Sequence, residues 1–535
     1  MNYPRLVVTV AISLLLSVSP YDSLKAATAG INASETYQTL EGFGASMAFW
    51  YGELYDHPEK EDIYEYAFHE LGLDILRLRN LYGKSARFDI YQEFADRIYT
   101  YSENDVIIFL SSWGPPGNLK SNNSPNNGGT LKKNTSGEYD YEGFAQYWYD
   151  SLIEFYDWGI YPDYISIQNE PGFEVEWESC KFESHETTSF AGYDQALAAV
   201  YDAIQDLDFI PKILAPEVLG IGYNLFPKYA NAMNQDYVDA YAYHLYHGGD
   251  GNENPDSFIT NLSSIANSYS DKPIFQTEYD YGGWFNTAWL MHNCLVYGNL
   301  SAYLYWTIMG TSDIDAAFIK MGHNHFTVTK NYWAFRQFSK FIHAEWQRVG
   351  AEIDNEGVKV SAYISPHDDM LTVVIINTGE EEEIEFNIQD FLVDGGEIIR
   401  TSETEDGTVI SNDYDGSTTL VLPPHSITTV AFTGEKTGIK ETADAHADEL
   451  LLSRCYPNPF NAMTTIEFSI QEKSRIQLKI YDVSGRELQT LINRTMPAGK
   501  HRVNFNAKDL ISGIYFYQIY AGPGHKETHK MILIK

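Results

Sequence analysis

From about Glu41 to Phe341, short apolar runs alternate with longer stretches in which apolar residues recur at helical spacing. The short runs read as strands at Gly42–Ser46, Ile75–Asn80, Val106–Trp113, Tyr164–Glu170, Lys212–Glu217, Val238–Tyr246, Pro273–Glu278 and Ala302–Thr307. Helical patterns lie between them, at His57–Leu71, Tyr141–Trp158, Glu186–Gln205, Phe285–Tyr297 and Asn331–Phe341. Eight strands, each followed by a helix or a long loop, fit a (β/α)8 TIM barrel of the α/β class better than an open sheet. No Gly-rich dinucleotide fingerprint follows any of them. The barrel is expected over residues 30–342.

After about Ala344 the period shortens to two. Glu352–Ile364, Leu371–Thr378, Glu383–Ile388, Glu397–Ser402, Thr418–Leu422 and Thr428–Thr433 alternate apolar with polar between Gly, Asp and Asn turns. They predict a side β-sandwich domain at 343–434. Ala29–Leu40, ahead of the first barrel strand, has the same character and is a candidate to pair with it. Residues 435–455 are charged and poor in large side chains, so they read as a linker. A C-terminal all-β, Ig-like domain is expected at 456–535, with strands at Thr464–Ile470, Arg475–Tyr481, His501–Asn506 and Gly513–Tyr520.

Composition narrows the partners. The 36 basic and 74 acidic residues give a formal charge of −38, which repels phosphate backbones and anionic bilayers. Residues 1–29 read as a secretory signal: Arg5 in the n-region, Val7 to Val18 as the apolar run, and Ala27-Thr28-Ala29 as the cleavage site. That apolar run is too short to span a bilayer. An exported chain without a membrane span is expected. The three cysteines match no zinc spacing, so no metal and no cofactor are expected, and Cys180 and Cys294 are candidates for a disulfide.

Candidate chemistry lies at two strand ends. Tyr164-Ile165-Ser166-Ile167-Gln168-Asn169-Glu170-Pro171 closes strand four, and Pro273-Ile274-Phe275-Gln276-Thr277-Glu278-Tyr279 closes strand seven. Active sites of such barrels lie at the C-terminal strand ends, so the count alone puts Glu170 and Glu278 on one face. Two facing carboxyls suit glycosidic cleavage, which needs one protonated and one ionised. Asn169 is placed to bond a sugar 2-hydroxyl. Trp113 and Trp306, at strand tips, suit stacking on a sugar face. His244 and Tyr246 alternate with apolar neighbours and point to the cleft, with a bond from Tyr246 to Glu278 favoured over catalysis by His244. Trp50, Tyr279 and Trp284 are candidates for outer subsites. The acidic Asp250–Asp256 loop reads as solvated rather than as a calcium site.

Seven pieces, in order, resemble glycoside hydrolase family 30. They are Glu41-Gly42-Phe43-Gly44-Ala45-Ser46, Ile75-Leu76-Arg77, Ser112-Trp113-Gly114-Pro115-Pro116, Ile165 through Pro171, Glu178-Ser179-Cys180, His244-Leu245-Tyr246 and Thr277-Glu278. The likeness covers about residues 30 to 434 and implies Glu170 as acid/base, Glu278 as nucleophile and Arg77 as a cation beneath it. The run from Trp113 through Lys120-Ser121-Asn122-Asn123 resembles the bacterial xylanase branch. Members that require a glucuronic acid branch hold it with an arginine after strand eight. Here that loop reads Thr307-Ile308-Met309-Gly310-Thr311-Ser312-Asp313-Ile314-Asp315, and the first arginine is Arg336, with Lys320 and Lys330 as possible substitutes. The resemblance implies a retaining endo-β-1,4-xylanase without strict glucuronate dependence. A glucuronoxylanase, an exo-acting xylobiohydrolase, a β-1,6-glucanase and, in another class, a non-catalytic surface glycan-binding protein stand as alternatives.

The C-terminal pieces Tyr456-Pro457-Asn458-Pro459-Phe460-Asn461, Ile480 through Arg486, Gly513-Ile514-Tyr515-Phe516 and Lys530 through Lys535 resemble the sorting domain read by the type IX secretion system. The partners implied are xylan or xylooligosaccharide and that secretion machinery, with a secreted or surface-attached, monomeric product.

Overall fold

The first described strand, β1 (Ala27–Thr39), does not enter the barrel. The next eight do, all parallel: β2 (Gly42–Ser46), β3 (Ile75–Arg79), β4 (Ile107–Ser111), β5 (Tyr164–Ser166), β6 (Lys212–Val218), β7 (Ala240–His244), β8 (Ile274–Glu278) and β9 (Ala302–Tyr305). Each pairs with the next, and β9 closes on β2. This computed structural model describes residues 26–437 and 453–535, apart from 50, 84–87, 102–105, 208, 251–253, 281, 315, 457, 459, 471–473, 484, 497–498, 509 and 522–524. The body of the signal segment, Trp50 and most of the linker therefore lie outside the described residues.

Barrel strands are apolar along their length because both faces are covered. One set of side chains, including Ile75, Phe109, Tyr164, Leu214, Phe275 and Leu304, fills the barrel interior. The alternate set packs against the surrounding helices. Gly44 is required in β2, since a Cβ there would stand 2.5 Å from the Ile75 carbonyl oxygen. Among the described residues no helix is long and apolar enough to cross a membrane.

Three features differ from the sequence reading. Strand four ends at Ser166, so Asn169 and Glu170 sit on the connection beyond it. The segment after Trp306 is not an open loop but a small sheet of β10 (Thr307–Thr311), β11 (Ala317–Met321) and β12 (Phe326–Val328). In it β10 runs parallel to β11, with Thr307 facing Ala317, and β12 runs antiparallel to β11, with Val328 facing Ile319. The thiols of Cys180, Cys294 and Cys455 are all free, so the candidate disulfide is not formed.

The side domain is one nine-stranded sheet. Its order is Thr408–Ser411, Phe391–Thr401, Ser426–Lys436, Met370–Asn377, Val358–Ile364, Gln347–Ile353, β1, Glu382–Gln389 and Leu420–Leu422. Within it β1 runs antiparallel to Gln347–Ile353, with Ala29 facing Ile353, and parallel to Glu382–Gln389. Ala27-Thr28-Ala29, read above as a cleavage site, lies at the start of β1. A cut after Ala29 would remove the pairings with Ile353, Ile384, Glu385 and Phe386.

The C-terminal domain has two sheets. One joins Ser453–Tyr456, Met463–Ile470 and Gly499–Asn506; the other joins Glu487–Met496, Ser474–Asp482, Gly513–Ala521 and His525–Leu533. The strands Ser453–Tyr456, Glu487–Met496 and His525–Leu533 escape the sequence reading. All three are edges, whose polar residues break the alternation that marks inner strands.

Candidate active site

Arg77 is the hub. It lies in the middle of β3 and is fully buried, which is tolerable only because both terminal nitrogens of its guanidinium are paired. Nη1 donates to Glu278 Oε2 at 2.7 Å and Nη2 to Asn169 Oδ1 at 2.5 Å. Nη2 also lies 2.9 Å from Glu217 Oε1. The Trp113 ring covers the cation, 4.5 Å from Cζ to the ring centre. Glu278 is the last residue of β8, and its other oxygen accepts from the Tyr246 hydroxyl at 3.1 Å.

Glu170 is held off-strand by backbone bonds. The Asn169 N–H donates to the Ser112 carbonyl at 2.7 Å, and the Glu170 N–H to the Glu217 carbonyl at 3.0 Å. Its φ of +50° is a left-handed conformation unusual for glutamate, of the kind that collects at functional sites. His244, at the end of β7, brings Nδ1 to 2.8 Å from Glu170 Oε1. Its Nε2 faces Glu217 Oε1 at 3.8 Å and Glu278 Oε2 at 3.9 Å. One oxygen of Glu170, one of Glu278 and a ring nitrogen of His244 all lie within 4.8 Å of one another.

The charges divide this cluster. Burial alone would neutralise His244, but Glu278, Glu170 and Glu217 outweigh it and raise the imidazole to about 9. It is an imidazolium at neutral pH, so Nδ1–H donates to Glu170. Burial also pushes Glu217 up, yet Arg77, His244 and the Ser111 hydroxyl more than reverse this and hold it at about 2. For Glu278 burial prevails, with Glu170 adding to it, against His244 and Arg77, and its carboxyl stays above the usual range. Burial, then Glu278 and Asp280, keep the Tyr246 hydroxyl protonated as a donor.

Above the cluster opens a cleft of about 800 Å³. Trp113, Trp306 and Phe49 form one aromatic corner, with ring centres 5.8 to 6.1 Å apart. Tyr246 and Tyr279 form another at 5.4 Å. Trp177 and Tyr223 stand at the rim, 61% and 93% exposed. The loops carrying this rim fit closely: a Cβ on Gly220 would lie 1.6 Å from the Tyr246 carbonyl oxygen.

Of the sequence-derived candidates, Glu170, Glu278, Asn169, Trp113, Trp306, Tyr246 and Tyr279 line the cleft, with Arg77 and His244 directly beneath. Trp284 does not line it; it packs on Phe285 with Lys330 over its ring. Asp256, at the end of the acidic loop, accepts from Trp289 Nε1 and Asn293 and pairs with Lys359 of the side domain. Sequence reasoning missed Phe49, Trp177, Tyr223 and Glu217. Glu217 had a signal, because its strand also ends in a glutamate; the rings on loops had none.

A (β/α)8 barrel that gathers two close carboxyls beyond its fourth and seventh strands, beneath an aromatic cleft, has the layout of barrel glycosidases. Residues 347–430 match the glycosyl hydrolase family 30 beta sandwich domain, and residues 454–535 match the secretion system C-terminal sorting domain. In fold and domain composition the chain resembles glycoside hydrolases of family 30, with a sorting domain behind the barrel that marks a secreted or surface-held protein. It is similar to glucuronoxylanase XynC of Bacillus subtilis (strain 168), 24% identical over 386 residues, spanning 68% of this chain and 82% of that one. Among solved structures, it resembles the glycoside hydrolase family 30 subfamily 8 xylanase Xyn30A from Clostridium acetobutylicum. That match has 26% identity and a TM-score of 0.60 over 76% of this chain and 99% of the other. It also resembles the catalytic domain of GH30 xylanase C from Talaromyces cellulolyticus, at 20% identity and a TM-score of 0.63 over 76% and 100%.

Proposed function

We propose that the protein is a retaining endo-β-1,4-xylanase that cleaves xylan without requiring a glucuronic acid branch. Glu170 protonates the leaving oxygen and then activates water; Glu278 attacks the anomeric carbon. The observation that carries this reading is the approach of a Glu170 oxygen and a Glu278 oxygen to within 4.8 Å. Retaining enzymes place their carboxyls about 5–5.5 Å apart, whereas inverting ones leave room for a water between them. Arg77 and Tyr246 hold Glu278 for attack, and Asn169, fixed by Arg77, faces the same cleft.

The relatives named above include a glucuronoxylanase, so branch tolerance is the sharper part of the reading. It rests on the cleft's chemistry. Among the described residues, no lysine or arginine lines the cleft. Arg336 is committed to Glu70, and Lys330 to Asp406 and nearby carbonyls. A uronate lacks the cationic fork that would bind it. The test is a product profile on glucuronoxylan, arabinoxylan, linear xylooligosaccharides and β-1,6-glucan. Linear xylooligosaccharides should be cut internally with retention of the anomeric configuration; release of aldouronic products alone would overturn the branch-tolerant reading.

A further inference from the structure

Of the three carboxylates in the cluster, Glu217 alone touches no part of the cleft and has no exposed surface. It stands one residue before the end of β6 in a left-handed conformation, φ +53°, that turns its side chain under the site. Six segments of the chain surround it. Arg77 comes from β3 at 2.9 Å, the Ser111 hydroxyl from β4 donates at 2.6 Å, and His244 Nε2 from β7 stands at 3.8 Å. Glu278 on β8 shares Arg77 with it, and Glu170 hangs from its carbonyl. Tyr193, from the helix Tyr193–Ile204, also feels its charge. His244 in turn faces Glu170, Glu278 and the Tyr246 ring, and Tyr246 bonds toward Asp280.

A buried ionised carboxylate that meets no substrate has a cost that must be offset by what it holds in place. We propose that Glu217 is a positioning residue: it anchors Arg77 and His244 from behind and supplies the negative charge that keeps His244 a proton donor to Glu170. This deepens the proposed function and rests on Glu170 being the acid. With Glu217 ionised, the cluster holds three carboxylates against two cations. Without it, the remaining charges balance as two against two, and every proton in the cluster is easier to lose.

The test is Glu217→Gln, close in shape but uncharged, with Glu217→Asp as the charge-keeping control. In Glu217→Gln both limbs of the kcat profile should move to lower pH by about one unit or more, with kcat down about tenfold or more and KM little changed. Glu217→Asp should restore the limbs although not all of kcat. A folded Glu217→Gln enzyme with unmoved limbs would overturn the proposal. Histidine ¹⁵N NMR of the full chain, assigned with His244→Gln, reads the same charge without turnover. His244 should stay doubly protonated until about pH 9 in the wild type and titrate lower in Glu217→Gln. That readout stands whichever glycan is cleaved, so failure of the xylan reading and of this one are distinguishable. If Glu217→Gln does not fold, the wild-type spectrum decides, and a neutral His244 at pH 7 would sink the idea.

Discussion

At the scale of single residues, the cluster assigns separable jobs to its members. Glu278→Ala is expected to abolish turnover while leaving xylooligosaccharide binding measurable by calorimetry, because the aromatic corners remain. Glu170→Gln should lose xylan hydrolysis yet keep part of its activity on aryl glycosides, whose leaving groups need no proton. Tyr246→Phe deletes a hydroxyl that donates to Glu278 at 3.1 Å. A hydrogen bond to a charged group is worth about 1.5–3 kcal/mol, so kcat should fall tenfold or more. Losing that donor raises the Glu278 carboxyl further, so the acid limb of the pH profile should move up. Both outer glutamates were legible because each closes an apolar run and the strand count puts them on one face. Glu217 carried the same mark at the end of its own run, but the chemistry asked for two carboxyls, and a third had no evident job. The weight of His244 could not be read from its own stretch, since its partners come from β6, β8 and the connection after β5.

At the scale of elements, alternation located the barrel strands well and their ends poorly. Strand four looks seven residues long because Ile167 through Glu170 continue its pattern, yet they bond irregularly to Ser112 and Glu217 rather than in a ladder. That departure is what turns Glu170 into the cleft. The connections after β5 and β6 carry the exposed Trp177 and Tyr223. Since Glu170 protonates the leaving group and belongs to the first of these connections, the rings on this side should hold the departing end of a long chain. Trp177→Ala and Tyr223→Ala are each expected to raise KM roughly three- to tenfold on long xylooligosaccharides and little on aryl xylobiosides, as measured by initial rates. Gly220→Ala would drive a methyl into the Tyr246 carbonyl. A loss of about 1–3 kcal/mol in urea unfolding is expected.

At the scale of the whole molecule, barrel and side domain share buried polar groups. His292 lies in the barrel helix Gly283–Val296, 4% exposed, and burial, then Lys359 and Arg348, hold it down to about 3. The unfolded imidazole binds its proton near pH 6.5, so the folded state is favoured above that pH and loses ground as the pH falls toward 3. His292→Gln should flatten this acid slope by up to about 1.4 kcal/mol per pH unit, followed by denaturant melts between pH 6.5 and 4. A wild-type curve no steeper than that of the variant would count against it.

The placement of β1 sets a clock on this molecule. Ala29 faces Ile353, so a strand near the start of the chain has no partner until some 324 residues later (353 − 29) have appeared. At about 5–20 residues per second, that is a wait of roughly 15 to 65 seconds with both edges bare. The strand is composed for such a delay: Ala-Thr-Ala-Gly-Ile-Asn-Ala-Ser-Glu-Thr-Tyr-Gln-Thr holds one large aliphatic residue among small and polar ones. A strand of that kind is a poor seed for aggregation, and its Ala27, Ala29 and Ala33 bury without needing a sticky surface beforehand.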